Sequence, residues 1–356
     1  MTMHPYKTLP KTAFWRSSVS QTPPDAVDPI GPLKFTISNK DKVMTAGSCF
    51  AQHIARYLKN SGFEYLVTEN AHPLLSKYHS EKSNYGTFTA RYANIYTTRQ
   101  MLQLLRRAYG LFKPQEDRWA NGAGGYLDPF RPQIQPGGFS SIDEYEADRT
   151  QHFGAVRQAI EELDVFVFTL GLTECWMSSI DGAVFPLCPG TSGGEFKPEE
   201  HNFYNMTVLD VMRDLEEIKS FIDKKNRYAK FILTVSPVPL AATACEDHVL
   251  TATVHSKSVL RAAAGEFASR HDDVAYFPSY EIITGSFNRG NYFADDLRSV
   301  TEDGVGHVMN LFLKHYGGLS SDKSPDIRSE LHRPTIQNTE EIVRVICEEE
   351  ALSQFQ

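Results

Sequence analysis

The feature that most constrains the fold is the segment Asp164-Val-Phe-Val-Phe-Thr169, whose interior holds four consecutive apolar residues. A strand covered on one side alternates apolar and polar residues. A run this uniform belongs to a strand buried on both faces, as in a parallel sheet with helices above and below it. A second run of this kind spans residues 229–235, and shorter strand candidates lie at 42–46, 63–67 and 274–277. Between these segments the periodicity becomes helical. Phe50, Ile54 and Leu58, flanked by Ala51 and Ala55, form one apolar face, and Val208, Val211, Met212, Leu215, Ile218 and Ile222 trace a longer amphipathic helix. Further helices are expected at 97–108, where Thr97 and Gln100 fit a capping box, from Ser141 to about residue 163, where Ser141 pairs with Glu144, near 256–268, and at 301–315. Alternating strands and helices predict an α/β fold, a three-layer α/β/α sandwich with a mostly parallel sheet.

The first 40 residues carry Pro5, Pro10, Pro23, Pro24, Pro29 and Pro32 and read as an irregular N-terminal arm. Residues 41–318 form the domain proper, and 319–356 a polar C-terminal tail with a short helix near 339–352. Two excursions interrupt the domain. One, at 110–140, holds six glycines and four prolines; the other, at 181–206, reads as irregular. Long loops of this sort are often functional, and both are candidates for a specificity lid.

Composition narrows the function. Lys and Arg total 36 against 44 Asp and Glu, and the net charge of −8 is spread along the chain. No basic patch suggests a nucleic-acid partner. No apolar run approaches the roughly 20 residues of a spanning helix, so no membrane span is expected. Residues 1–14 lack a continuous apolar stretch, so no signal peptide is expected either. Five scattered cysteines without a CxxC pair argue for free thiols, against a structural zinc site, and for a cytoplasmic location. Gly122-Ala-Gly-Gly125 lacks the strand–turn–helix setting and the lysine of a phosphate loop, and the histidines lack zinc spacing, so neither cofactor nor metal is expected.

In open α/β sheets ligands bind beyond the carboxyl ends of the strands. The strand assignments therefore bring the loops at 47–49, 170–176 and 236–239 to one edge. Cys49 follows Gly47-Ser48 and opens a helix, where unpaired amides and the positive end of the dipole favour a thiolate. The plainer reading is a buried, inert thiol.

Ala46-Gly-Ser-Cys-Phe-Ala51 resembles the motif that gives the GSCFA family its name, and that family is similar to the divergent SGNH (GDSL) hydrolases, which are flavodoxin-like in fold. Asn94-Ile-Tyr-Thr-Thr98, Thr169-Leu-Gly-Leu-Thr-Glu174, Thr234-Val-Ser-Pro-Val-Pro239, Ser256-Lys-Ser-Val-Leu-Arg261 and Tyr292-Phe-Ala-Asp-Asp-Leu297 resemble further family blocks in family order. The resemblance implies that Cys49 stands at the nucleophile position, with Ser48 as the competing hydroxyl. It implies an oxyanion hole from the Cys49 amide, Asn94 and Thr173. Ser48, Gly171, Glu174 and Trp176 would then contact substrate, Glu174 by binding a hydroxyl or holding a histidine and Trp176 as a stacking platform or part of a lid. SGNH enzymes carry an Asp-x-x-His pair; here the match is Asp296-Leu297-Arg298-Ser299, with Ser299 where histidine is expected. A hydroxyl has no useful pKa for taking a proton near neutrality. Three readings stay open: an introduced substitution, a different histidine (His53, His72, His255 or His307, the last expected to face solvent), or a protein that has lost catalysis. The expected function is acyl transfer by an O-acyl esterase or acyltransferase. It would act on a glycan or small hydroxylated acceptor, with a thioester as possible acyl donor. The alternative is a non-catalytic carbohydrate- or ligand-binding protein on the same fold.

Overall fold

A computed structural model describes residues 4–317. The arm at 4–40 contains only short turns of 3-10 or π type, in keeping with its prolines. The expected helix at 339–352 lies outside the described residues.

The domain begins with β1 (Val43–Gly47), α1 (Cys49–Asn60), α2 (Lys77–Lys82) and α3 (Thr98–Ala108). A two-strand ribbon follows, β2 (Trp119–Ala120) and β3 (Tyr126–Leu127), and then α4 (Ile142–Glu162) and β4 (Val165–Leu170). Three short strands come next: β5 (Glu174–Ser178), β6 (Val184–Phe185) and β7 (His201–Asn205). The chain closes with α5 (Val208–Asp223), β8 (Lys230–Val235), α6 (Val249–Arg270), β9 (Val274–Tyr276), α7 (Ser279–Thr284) and α8 (Glu302–Tyr316).

The main sheet has the order β1-β4-β8-β9, and all its pairings are parallel. Its strands alternate between two cores. Val43, Val165, Val167 and Ile232 pack with α1 and α8; Met44, Ala46, Phe166, Phe168, Phe231 and Leu233 pack with α3, α4, α5 and α6. Both faces are dry, which is why β4 reads as an unbroken apolar run. The result is a three-layer α/β/α sandwich.

The strand expected at 63–67 is reduced to one parallel bridge. Tyr65 pairs with Val43, the Val43 amide donates to Glu64 O (2.9 Å), and the Leu66 amide donates to Val43 O (3.0 Å). Counting this bridge, the spatial order is 2-1-3-4-5, a doubly wound order whose topological switch point lies between β1 and β4.

The helix caps follow the sequence signals. Thr97 Oγ1 accepts from the Gln100 amide (3.2 Å) and Ser141 Oγ from the Glu144 amide (3.1 Å). Two elements differ from expectation. α6 starts at Val249 rather than near 256; its first two turns expose Leu250 and Val254 and so carry no apolar stripe to mark them. The segment at 181–206 is not wholly irregular: β6 and β7 flank β5 in an antiparallel sheet.

Candidate active site

The carboxyl end of β1 is pressed against β4. Gly47 lies opposite Thr169 in the strand register and has φ of 146°, and a Cβ there would collide with the Thr169 carbonyl and side chain. Only glycine lets the chain turn at that spot. The Gly47 carbonyl accepts from the Ile95 amide (2.8 Å), which draws the Asn94 block onto the same edge. Ala93, just before it, adopts φ of 61°, a left-handed conformation uncommon for a residue with a side chain.

Ser48 is the N-cap residue of α1, yet its side chain makes no capping bond. Its Oγ is buried and has no hydrogen-bond partner among the described residues. The Thr169 hydroxyl, on the neighbouring strand, is orphaned in the same way. Cys49, the first residue of α1, is 6% exposed. Asn94 is fully buried; its Oδ1 accepts from Gln52 Nε2 (2.9 Å), so α1 sets the orientation of the amide.

The loop after β4 closes over this turn. Gly171 and Leu172 donate their amides to Tyr96 O (3.2 and 2.8 Å). A Cβ on Gly171 would stand 3.0 Å from Ser48 Cβ and 2.9 Å from Tyr96 O, so this glycine permits the close approach of the two loops. Thr173 is completely buried; its amide donates to Ser256 Oγ (3.1 Å) and its hydroxyl to Asn205 Oδ1 (2.6 Å). The hydroxyl expected to donate to an oxyanion is thus engaged with β7. Glu174 accepts from Thr243 Oγ1 (2.7 Å) and the Ala244 amide (3.2 Å), and so ties the loop after β8 to the edge without holding a histidine. Trp176 lies opposite Phe185 and Phe203 on the small sheet and meets Phe196 edge-on at 5.3 Å between centroids.

Asp296 and Ser299 lie together in a surface turn. Ser299 Oγ donates to Asp296 Oδ2 (2.6 Å), and the Arg298 and Ser299 amides donate to Oδ1 (2.9 and 2.8 Å). The Ser299 hydroxyl, followed by the backbone amides, holds the Asp296 carboxyl below its usual range. Arg298 Nε donates to Pro239 O (3.2 Å), which links this turn to the loop after β8.

The four candidate histidines are scattered. His72 and His255 are exposed. His307, expected at the surface, is instead buried against α8's neighbours, with Nδ1 bonded to Tyr292 OH (2.8 Å); burial pushes its pKa down. His53 lies beside Arg56 Nη2 (3.3 Å), and burial, then the Arg56 charge, lowers its pKa to about 4. It is therefore neutral at pH 7.

One basic residue at this edge lies within a quoted sequence block but was not singled out from it. Lys257 on α6 is 1% exposed, and its Nζ donates to Gly171 O (2.7 Å). The signal was present: the buried stripe Leu260, Ala263, Ala264 and Phe267, extended back by one helical turn, lands on Ser256 and Lys257.

The fold and this edge define an open, doubly wound α/β protein with its candidate site at the switch point. The chain belongs to the GSCFA family, whose sequence profile matches residues 42–312 and so spans every element of the main sheet. No curated protein matches the chain. Among the described residues no helix is long and apolar enough to cross a membrane.

Proposed function

We propose that this chain is an acyl-transfer protein of SGNH-like type in which Cys49 attacks an ester or thioester carbonyl. The observation that carries this reading is the turn at Ser48-Cys49. It opens α1 at the switch point, its N-cap side chain makes no capping bond, and its serine hydroxyl is buried without a partner among the described residues. Helix N-terminal amides are aimed where a tetrahedral oxyanion develops, and one such donor lowers a barrier by about 2.7–4 kcal/mol. Asn94, oriented by Gln52, is the side-chain donor in this reading. Thr173 shapes the loop through its bond to Asn205.

The acceptor is water or a hydroxyl of a glycan or small molecule. The aromatic cluster of Trp176, Phe196 and Phe203 next to Glu174 supports a sugar, since stacking faces beside a carboxylate suit a hydroxylated ring. Incubation with an activated acetyl ester, followed by intact-mass spectrometry, tests the proposal. One acetyl group retained per chain and lost in Cys49→Ala is the expected result. A second reading, a binding protein without turnover, is favoured by one contact: Ser299 Oγ occupies the Asp296 carboxylate that would orient a histidine. That reading expects no adduct.

A further inference from the structure

We propose that the cavity beside Arg107 is a binding site for one small monovalent anion, a halide such as chloride. The site is independent of the acyl-transfer reading. The cavity measures about 20 Å³, room for a single sphere the size of a water or a halide. Gln100, Gln103 and Arg107 of α3 and Asp128, Phe130 and Arg131 of the 110–140 excursion contribute to its wall. Arg107 is 7% exposed, and its guanidinium makes no hydrogen bond or ion pair with any described residue. Its Cζ lies 3.6 Å from the centre of the Phe130 ring and 5.2 Å from that of Phe153. Stacking covers the face of a guanidinium and leaves the N–H donors on its rim to find acceptors elsewhere.

The acceptors around the cavity are already bonded. Asp128 Oδ2 accepts from Arg131 Nε (2.8 Å) and Oδ1 from the Phe130 amide (3.0 Å). Gln100 Oε1 accepts from the Tyr96 amide (2.9 Å) and Gln103 Oε1 from the Val184 amide (2.8 Å). The nearby carboxylates of Glu69, Asp128 and Asp148 are paired with Arg91, Arg131 and His152. Burial pulls the Arg107 pKa down to about 10, and the Asp128 charge opposes that without cancelling it. Arg107 is therefore charged at pH 7, whereas burial holds the His152 imidazole on the wall toward neutrality. Two guanidiniums, Arg107 and Arg131, against one carboxylate, Asp128, leave one positive charge around the cavity. A buried charge is strongly unfavourable until it is paired. A water would satisfy the donors but bring no charge; a halide does both, and the volume shuts out sulfate, phosphate and organic carboxylates. Bound there, the anion fastens the excursion to α3.

Thermal unfolding of the unmutated protein and of Arg107→Met, in sodium gluconate and in sodium chloride or bromide at equal ionic strength, tests the proposal. About 200 mM halide is expected to raise the midpoint of the unmutated protein by about 1–3 °C over gluconate and to leave Arg107→Met unmoved. Equal midpoints in the two salts overturn the proposal. So does a rise of the same size in both proteins, which is a general effect of the salt. Where Arg107→Met does not fold, crystals of the unmutated protein grown in sodium bromide decide. An anomalous bromide peak in the cavity beside Arg107 supports the site. A water in the cavity, or bromide found only at the surface, contradicts it.

Discussion

Two buried polar regions of this molecule are built on opposite plans. Behind α3, Glu69, Arg91, Asp128, Arg131, Asp148 and His152 form an ion network in which each carboxylate faces a guanidinium or the imidazole, and one oxygen, Glu69 Oε1, is buried with an ion pair but no hydrogen bond. Arg91 pairs with Asp148 (2.6 Å) and sits 3.7 Å from Glu69, Arg131 pairs with Asp128 (2.8 Å) and with Asp148, and Glu69 accepts from the Arg91 amide (2.6 Å). At the carboxyl edge of the sheet, by contrast, the Ser48 and Thr169 hydroxyls are buried without partners among the described residues. A buried polar group left unsatisfied raises the free energy of the fold by about 1–3 kcal/mol, so such atoms persist where something other than stability retains them. The network fixes the 110–140 excursion to the domain through Asp128 and Arg131. The edge leaves two hydroxyls unsatisfied where the proposed acyl transfer would take place.

If that contrast holds, the two regions respond differently to damage. The largest effect on stability belongs to the network. Arg131→Met strands Asp128, leaves Asp148 to Arg91 alone and is expected to lower stability by about 3–5 kcal/mol in urea titrations, with the Cys49 reaction retained in the folded fraction.

Acid probes the same region without a substitution. Burial would raise the Glu69 carboxyl, but His152, Arg131 and the Arg91 amide outweigh it and hold the pKa at about 2. A carboxyl depressed in the folded state contributes stability that is full above its unfolded pKa of about 4.5 and is lost as pH falls toward 2. Glu69→Gln should flatten the acid limb of a stability–pH curve in that window; an unchanged limb would remove Glu69 from the account.

At the edge, Gly171→Ala forces a Cβ toward Tyr96 O and Ser48. A loss of about 1–3 kcal/mol is expected, with acylation slowed even where the fold survives; a neutral outcome would show that the two loops are not closely apposed. Ser299→Ala removes a single exposed hydrogen bond and should shift stability by less than about 0.5 kcal/mol. A larger shift would mean that this turn supports the site more than its exposure suggests.

Much of the architecture was legible in the sequence where one physical cause acts alone. β4 and β8 are buried on both faces, so their composition is uniform. Thr97, Ser141 and Thr301 cap their helices with their own side chains, so three helix starts can be read directly. The small antiparallel sheet was hidden because β6 is two residues long and β7, His-Asn-Phe-Tyr-Asn, mixes polar and aromatic residues in a half-exposed strand. The strand at 63–67 was over-read, since Phe63 and Leu66 are apolar for core packing while only Tyr65 pairs.

The turn at Gly47-Ser48-Cys49 and its neighbours Asn94 and Gly171 were found from motif and strand-end position together, and the structure gathers them on one edge. The roles of Thr173 and Glu174 were not legible, because their partners, Asn205 and the loop at 243–245, come from segments distant in sequence. Lys257 was overlooked because a lysine within a helix reads as surface until the buried stripe is followed through it.

The most direct test of the central claim is the location of the acyl group. The protein, Cys49→Ala and Ser48→Ala are each treated with the activated acetyl ester, digested and mapped by peptide mass spectrometry. The account predicts a single acetyl thioester on Cys49, absent in Cys49→Ala and present in Ser48→Ala. Acetylation of Ser48, or of neither residue in folded protein, would contradict it.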